Sequence, residues 1–469
     1  MNKIELGLPI LLLGTIIAGM KMTPPIQKLT PPQAQKIPKD VTVHQDTRID
    51  DYFWLKERDT QPVLDYLKAE NDYTFAKMKH TELLQKTLYN EMRGRIKEDD
   101  TTVPYKFGNY MYYTRTEENL QYDIYCRKLG NSSGDEEITF NMNEMAKKHD
   151  YIDLSAYKIS PNEKLLALTI DTSGAELHKL TIKDIKTGEI LDDYLSNLDG
   201  SVEWANDNKT LFYTVLDKAH RSYQLWRHEL GNEQSDDVLV FQEDDDRFSV
   251  GLHRTKSGEF LKMDLESQIT TEVYLLDRND PFGEWKLVQP REQGVEYYVY
   301  HHGDYLYQIT NKDAINFKMI RTTLNGGKED EIIPNRDNTT LDNVSMFKYH
   351  MAVLERVNGN LEIRLFNFED ESWYNIEMNE DIYSLAFEEN YDWNSDFFRF
   401  GYGSFKTPYC VYDIDFKTHE KTLRKKEEIL GGYESENYVS ERIWAPTHDG
   451  KKLAITLLYK KGINLKGNN

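Results

Sequence analysis

The residues that could do chemistry are scattered along this chain rather than grouped. A serine nucleophile of the elbow type needs G-x-S-x-G, because the serine must sit on a strained strand-to-helix turn between small neighbours. No elbow is expected here. The near miss is GYGSF at Gly401–Phe405, where Ser404 follows Gly403 directly and no glycine stands two places on. That segment reads as strand and turn. His301 and His302 are adjacent, so on a strand their rings point to opposite faces, which is poor geometry for one metal. EDDDR at Glu243–Arg247 offers carboxylates but lacks the Gly and distal Glu of an EF-hand loop, and reads as a solvated loop. There is no phosphate-cradling G-x-x-x-x-G-K-[ST], no dinucleotide fingerprint and no H-E-x-x-H. Cys126 and Cys410 are the two cysteines, too few for a disulfide framework or a cysteine-based zinc site. One bridge between them is conceivable in an oxidising compartment; the alternative is two inert thiols on strands. No catalytic residue, cofactor-binding residue or metal ligand is assigned, and no cofactor is expected.

The elements that would have to position any such residues are better marked. At 469 residues the chain can hold two or more ordinary domains or one large repeat array. Its net charge of −22 argues against a nucleic-acid partner. The same charge suits solubility and permits a basic peptide partner. Lys3 followed by an apolar run from Leu6 to Ala18 has the length of a signal-peptide core rather than a membrane span. Glu5, Pro9 and the lack of a clean cleavage site weaken that pattern. Residues 1–22 are therefore expected to be a signal-like or membrane-anchor segment, giving a periplasmic or membrane-associated protein. A true start at Met20 or Met22 would leave it cytoplasmic. TPPIQKLTPPQAQKIPK within residues 23–40 is an extended Pro-rich tether.

Residues 41–102 are expected to be helical. Thr60 can cap and Pro62 suits a first turn. Val63, Leu64, Leu67, Phe75, Met78, Leu84, Leu88, Met92 and Ile96 then recur at helical spacing up to about Gly94. Such helices need something to cover them. After Val103 the period turns to alternation and a unit recurs. First strands begin near 108, 162, 208, 257, 303, 348 and 395 (GNYMYYTRT, NEKLLALTID, NKTLFYTVLD and so on), each followed in step by a second strand. Spacings of about 45 to 55 residues are the size of a four-stranded propeller blade. Turns at Asn162, Asp207-Asn208, Ser257-Gly258 and Gly303-Asp304 mark the same place in several units. The expectation is a mainly β chain with a seven-bladed β-propeller over residues 103–433, in which Trp204 and the tyrosines pack blades. Finally, RIWAPTHDGKKLAITLLYKK reads as a hairpin turning at Asp449-Gly450. A hairpin alone is marginal and wants a sheet to join.

Helices, a propeller, then the first strands of another sheet is an order that resembles the prolyl oligopeptidase family of serine peptidases, and within it the oligopeptidase B branch. The stretches that carry the resemblance are DTRIDDYFWLKERD (Asp46–Asp59), YLKAENDYT (Tyr66–Thr74), EMRGRIKEDDTTVPY (Glu91–Tyr105), QYDIYCRK (Gln121–Lys128), SVEWANDNKTLFYTVLD (Ser201–Asp217), TPYCVYDID (Thr407–Asp415) and YVSERIWAPTHDGKKLAITLLYKKG (Tyr438–Gly462). The resemblance implies that residues 434–469 begin an α/β-hydrolase domain, truncated here. It also implies that complete relatives cut short peptides after Lys or Arg, with the propeller excluding folded proteins. No position matches the family's Ser-Asp-His triad, so the chain alone is expected to be inactive unless a second polypeptide carries the catalytic domain. The competing expectation is a non-catalytic propeller used for binding, or the product of a decayed gene.

Overall fold

Alternation of apolar and polar residues forms strands here almost everywhere after residue 103, and the core lies between the sheets those strands make. The structure is a computed structural model that describes residues 29–130, 134–465 and 467. The leader expected at 1–22 and the start of the tether lie outside the described residues. The chain divides into two compact units, one ending at Arg95 and one beginning at Ile96.

In the first unit a hairpin pairs Lys39–Val43 with Asp46–Asp50, within the stretch expected to be tether and helix. Two helices follow, α1 (Gln61–Met78) and α2 (Glu82–Arg93). Thr60 holds the N-cap position of α1, but its hydroxyl donates to the Glu57 carbonyl at 2.8 Å instead of capping. Gly94 closes α2 with its N–H on the Asn90 carbonyl at 2.9 Å. Of the apolar positions on α1 and α2 only Val63 is buried; Phe75 is 75% and Leu83 79% exposed.

The second unit holds five four-stranded sheets and one seven-stranded sheet. This corrects the expected seven separate blades to five. The four-stranded sheets run over 105–141, 249–289, 297–333, 339–375 and 384–426, each with consecutive strands in order. The seven-stranded sheet takes Asp153–Ile159 through Val238–Gln242, where two repeat units were expected. The physical reason is the 15-residue strand Ile190–Trp204. Its first part pairs with His178–Asp184 and its last part with Thr210–Leu216, with a register shift between Leu198 and Val202. No loop separates the two units. Asn197 (φ 61°) and Gly200 (φ 111°) bend the strand instead, and a Cβ on Gly200 would stand 2.3 Å from the Ser155 hydroxyl. Side chains from both halves, among them Leu180, Ile182, Trp204, Leu211 and Tyr213, share one core cluster.

Neighbouring sheets pack face to face through buried apolar clusters. Tyr112 and Phe140 meet Ile159 and Leu166, and Phe212 and Leu225 meet Val250 and Leu261. Val273 and Leu275 meet Val299 and Leu306, Ile309 meets Val344, and Ile363 meets Phe398. The last sheet meets the first through side chains. Arg399 Nη1 donates to the Pro104 carbonyl at 2.8 Å, Lys106 Nζ lies 2.9 Å from Asp392, and the Tyr105 and Tyr391 rings are 4.9 Å apart. Among the described residues no sheet contains strands from both ends of the repeat array. Trp204 is 1% exposed with its indole N–H on the Lys158 carbonyl, a packing residue as expected. The hairpin at the end pairs Tyr438–Pro446 with Lys452–Lys460, Ile443 opposite Ile455, and Gly450 takes φ 80° in the turn.

Candidate functional site

The first strand of each sheet, the one the repeat pattern did not show, runs into a turn that reverses into the next strand. Four of these turns, and the one after the inner strand Ile190–Trp204, carry a left-handed residue: Gly108 (φ 58°), Glu163 (60°), Asn208 (61°), Gly258 (77°) and Gly303 (59°). The last four fall at the turns flagged in the sequence as the repeat mark. Three of these five positions, Gly108, Glu163 and Gly258, line a cavity of about 1170 Å³. Strand ends from the first sheet (Tyr105, Phe107), the seven-stranded sheet (Lys158, Glu203), the sheet at 249–289 (Arg254, Lys256), the sheet at 339–375 (Ser345) and the last sheet (Ala386, Phe387), with the loop that follows at Glu388–Asp392, complete the wall.

Charge in the cavity is mostly organised into pairs. Lys158 holds Glu203, which is 3% exposed, and Lys106 holds Asp392. Glu163 accepts from the Asn109 backbone N–H at 2.7 Å and from its amide at 2.6 Å, tying the first sheet to the second. Gly108 sits so close that a Cβ there would be 2.2 Å from a Glu163 carboxylate oxygen. Across the cavity Glu388 accepts from the Tyr409 hydroxyl; burial and the neighbouring Glu389 outweigh that bond and push its carboxyl above the usual range. His253 is 63% exposed to the cavity, yet enclosure holds its imidazole below its ordinary value.

The residues weighed in the sequence are not brought together. Ser404 donates to both oxygens of Glu380 at 3.0 Å and accepts from the Thr407 N–H at 2.8 Å, so it braces a turn and has no base. His301 bonds Ser257 and the Gly303 carbonyl, while His302 bonds the Lys348 carbonyl and stacks on Phe368 at 3.9 Å, on the opposite face. Glu243 binds Arg291 and Asp245 binds Arg247, so the acidic loop is satisfied by arginines. Cys126 and Cys410 are buried free thiols on separate strands, and burial pushes Cys126 up to about 11. Among the described residues no cluster of His, Cys, Asp and Glu could hold a metal, and no helix is long and apolar enough to cross a membrane.

Two features escaped the sequence. G-x-S-x-G does occur, as GNSSG at Gly130–Gly134. Residues 131–133 lie outside the described residues; the described chain on either side is the antiparallel pair Ile124–Leu129 and Glu137–Asn141, and the element after Gly134 is that second strand, whereas an elbow leads into a helix. Second, the Ser257 hydroxyl lies 2.8 Å from His301 Nδ1 and His301 Nε2 lies 2.7 Å from the Gly303 carbonyl. That network assigns the proton to Nε2, leaving Nδ1 to accept from the serine. The arrangement has the donor sense of a nucleophile and base, but a carbonyl rather than a carboxylate orients the histidine. Serine and histidine stand 44 residues apart, so no sequence motif could show them.

Comparison with known proteins falls on the same part of the chain. Residues 32–427 match the family described as prolyl oligopeptidase, N-terminal beta-propeller domain. Protease 2 of Moraxella lacunata is 31% identical over 92% of this chain and 63% of its own length. Dipeptidyl aminopeptidase BI of Pseudoxanthomonas mexicana is 32% identical over 98% of this chain and 66% of its own. The chain thus spans somewhat under two-thirds of these relatives. Among solved structures, oligopeptidase B from Leishmania major superposes with a TM-score of 0.87 at 27% identity, covering 93% of this chain and 66% of that one. Oligopeptidase B from Trypanosoma brucei with covalently bound antipain, in its closed form, gives 0.87 at 29%, covering 94% and 66%.

Proposed function

Because the chain belongs to the prolyl oligopeptidase family, in its oligopeptidase B branch, we propose that it supplies the N-terminal and propeller part of a serine endopeptidase that cuts short peptides after Lys or Arg. The observation that carries this reading is the cavity of about 1170 Å³ ringed by strand ends from five of the six sheets. A space of that size takes an extended peptide and excludes a folded domain, which is how a propeller would gate by substrate size. Acidic side chains on its wall, Glu388 and Glu389, suit a basic peptide. The nucleophile, its histidine and its aspartate belong in this reading to the part of the relatives that the chain does not span, on this polypeptide or on a second one. The exposed apolar residues of α1 and α2, and Trp444 at 50% exposure on the last hairpin, suit surfaces that such a part would cover. Export through residues 1–22 belongs to the same proposal, checked by whether the mature N-terminus begins after that segment.

The test is hydrolysis of a fluorogenic Arg-Arg peptide. The 469-residue chain alone should show no turnover, and the chain joined to or mixed with the remaining third of an oligopeptidase B should restore it. Turnover that co-purifies with the chain alone would overturn the division of labour.

A further inference from the structure

The ion pairs in the propeller cavity leave a remainder. Two of its carboxylates, Glu203 and Asp392, are taken by Lys158 and Lys106. Three cationic side chains beside them have no carboxylate partner among the described residues. Arg254 lies with its guanidinium 4.8 Å from the Phe107 ring centre and makes no ion pair. Lys256 gives one hydrogen bond, to the Ser345 hydroxyl at 2.9 Å, and covers the Phe347 ring. Arg278 is 4% exposed and is satisfied only by carbonyls, those of Trp204 at 2.8 Å and Gly258 at 3.1 Å. Buried charge is ordinarily paired, because the desolvation cost of an isolated ion is several kcal/mol. Three basic side chains with no ion-pair partner thus line one cavity, in a chain whose net charge is −22.

We propose that Arg254, Lys256 and Arg278 form an anion site in the propeller cavity that takes a carboxylate group. Arg278 is fixed by its two carbonyl bonds and forms the floor, supplying field rather than contact. Arg254 and Lys256 rise from the same strand end and supply the donors. A carboxylate suits the guanidinium fork of Arg254 and gives Lys256 an ionic partner beside its bond to Ser345. Enclosure pushes the Lys256 ammonium down to about 6, so at neutral pH it is largely uncharged until an anion arrives. An anion bound there favours the protonated form of Lys256 Nζ, so binding should take up proton from the buffer, a signature that loose surface attraction would not give. Burial and the neighbouring Arg254 likewise hold Arg278 down to about 10. The carboxylate could come from the C-terminus of a peptide or from a small free acid. The site does not depend on where catalysis resides.

The experiment is titration calorimetry on the full chain with three probes: succinate, a neutral tripeptide with a free C-terminus, and the same tripeptide as its amide. The expected result is saturable binding of an acid probe with proton uptake at pH near 7, seen as a dependence of the heat on buffer ionisation. Affinity should fall about tenfold in Arg254→Gln and again in Lys256→Met, at unchanged melting temperature. Lys256→Met should also abolish the proton uptake, and either variant suffices if the other fails to fold. Free-acid tripeptide favoured over its amide assigns the site to peptide ends; succinate bound with no tripeptide preference assigns it to small acids. No binding of either acid, or equal binding in both folded variants, would overturn the proposal.

Discussion

At the scale of single residues, three groups test the account of what holds the propeller. Gly108 combines φ 58° with a Glu163 oxygen 2.2 Å from where a Cβ would be. Gly108→Ala should therefore cost about 1–3 kcal/mol in urea unfolding, since both the backbone and the carboxylate must give; an unchanged midpoint would refute the tight approach. Arg399 is 2% exposed and grips Asp413 through Nε at 2.6 Å and Nη2 at 2.9 Å. Arg399→Met should cost about 3–5 kcal/mol, because Asp413 is left buried with only the looser Arg424 at 3.4 Å. His228 is buried between Asp237 at 2.7 Å and Asp193 at 3.2 Å, with the Tyr213 hydroxyl on the other oxygen of Asp237. Burial opposes its charge, but the two aspartates outweigh burial and raise its pKa above 6.5. A raised folded value means the cluster's stabilisation is full below the unfolded value and is lost as pH rises through the folded one. His228→Gln should be destabilised most near pH 6, the gap from the parent narrowing toward pH 8 or above; a gap that widens with pH would show the histidine buried neutral.

At the scale of elements, the second and third strands of each repeat were legible and the rest was not. Sequences such as LLALTID and FLKMDLE are densely apolar because both faces of those strands pack between sheets, and Leu165–Asp171 and Phe260–Glu266 are strands. The first strands were missed because their ends line the cavity. Lys158, Glu203 and Arg254 stand where a core strand would be apolar, which hides the alternation. The fusion of two units was hidden for another reason. A turn signal at Asn197–Gly200 reads as a loop in sequence, whereas the chain only bends there and keeps pairing on both sides. Nothing in the chemistry-bearing residues pointed to the cavity, since its charged members come from four sheets and share no motif. The closure of the repeat array is also a property of elements. First and last sheets meet through Arg399, Lys106–Asp392 and Lys425, whose Nζ reaches the Thr101 carbonyl at 2.7 Å. Hydrogen exchange should show strands 105–115 and 397–415 opening together in Arg399→Met, well before Phe212 and its neighbours; protection lost uniformly over all sheets would contradict closure by side chains.

At the scale of the whole molecule, the two units differ in how much apolar surface they keep. On its helices the unit ending at Arg95 buries only Val63 among its apolar residues and exposes Phe75 and Leu83, whereas the sheets over 105–426 in the other unit hold the buried apolar clusters. Limited proteolysis should cut within 29–95 first and leave a resistant fragment that starts near Ile96; early cuts inside 105–426 would reverse that ranking. The family and the propeller follow from the match over residues 32–427, and the central claim built on them is that this stretch presents a peptide-holding cavity and no activated serine. Ser404 is held in a turn by Glu380, and Ser257 faces a histidine that no carboxylate orients. The most direct measurement is labelling of the purified chain with a fluorophosphonate, followed by mass mapping of every serine peptide. The account predicts no labelled serine, at 132, 257, 404 or elsewhere. A serine labelled stoichiometrically, and protected by an Arg-Arg peptide, would contradict it and move the nucleophile into the propeller.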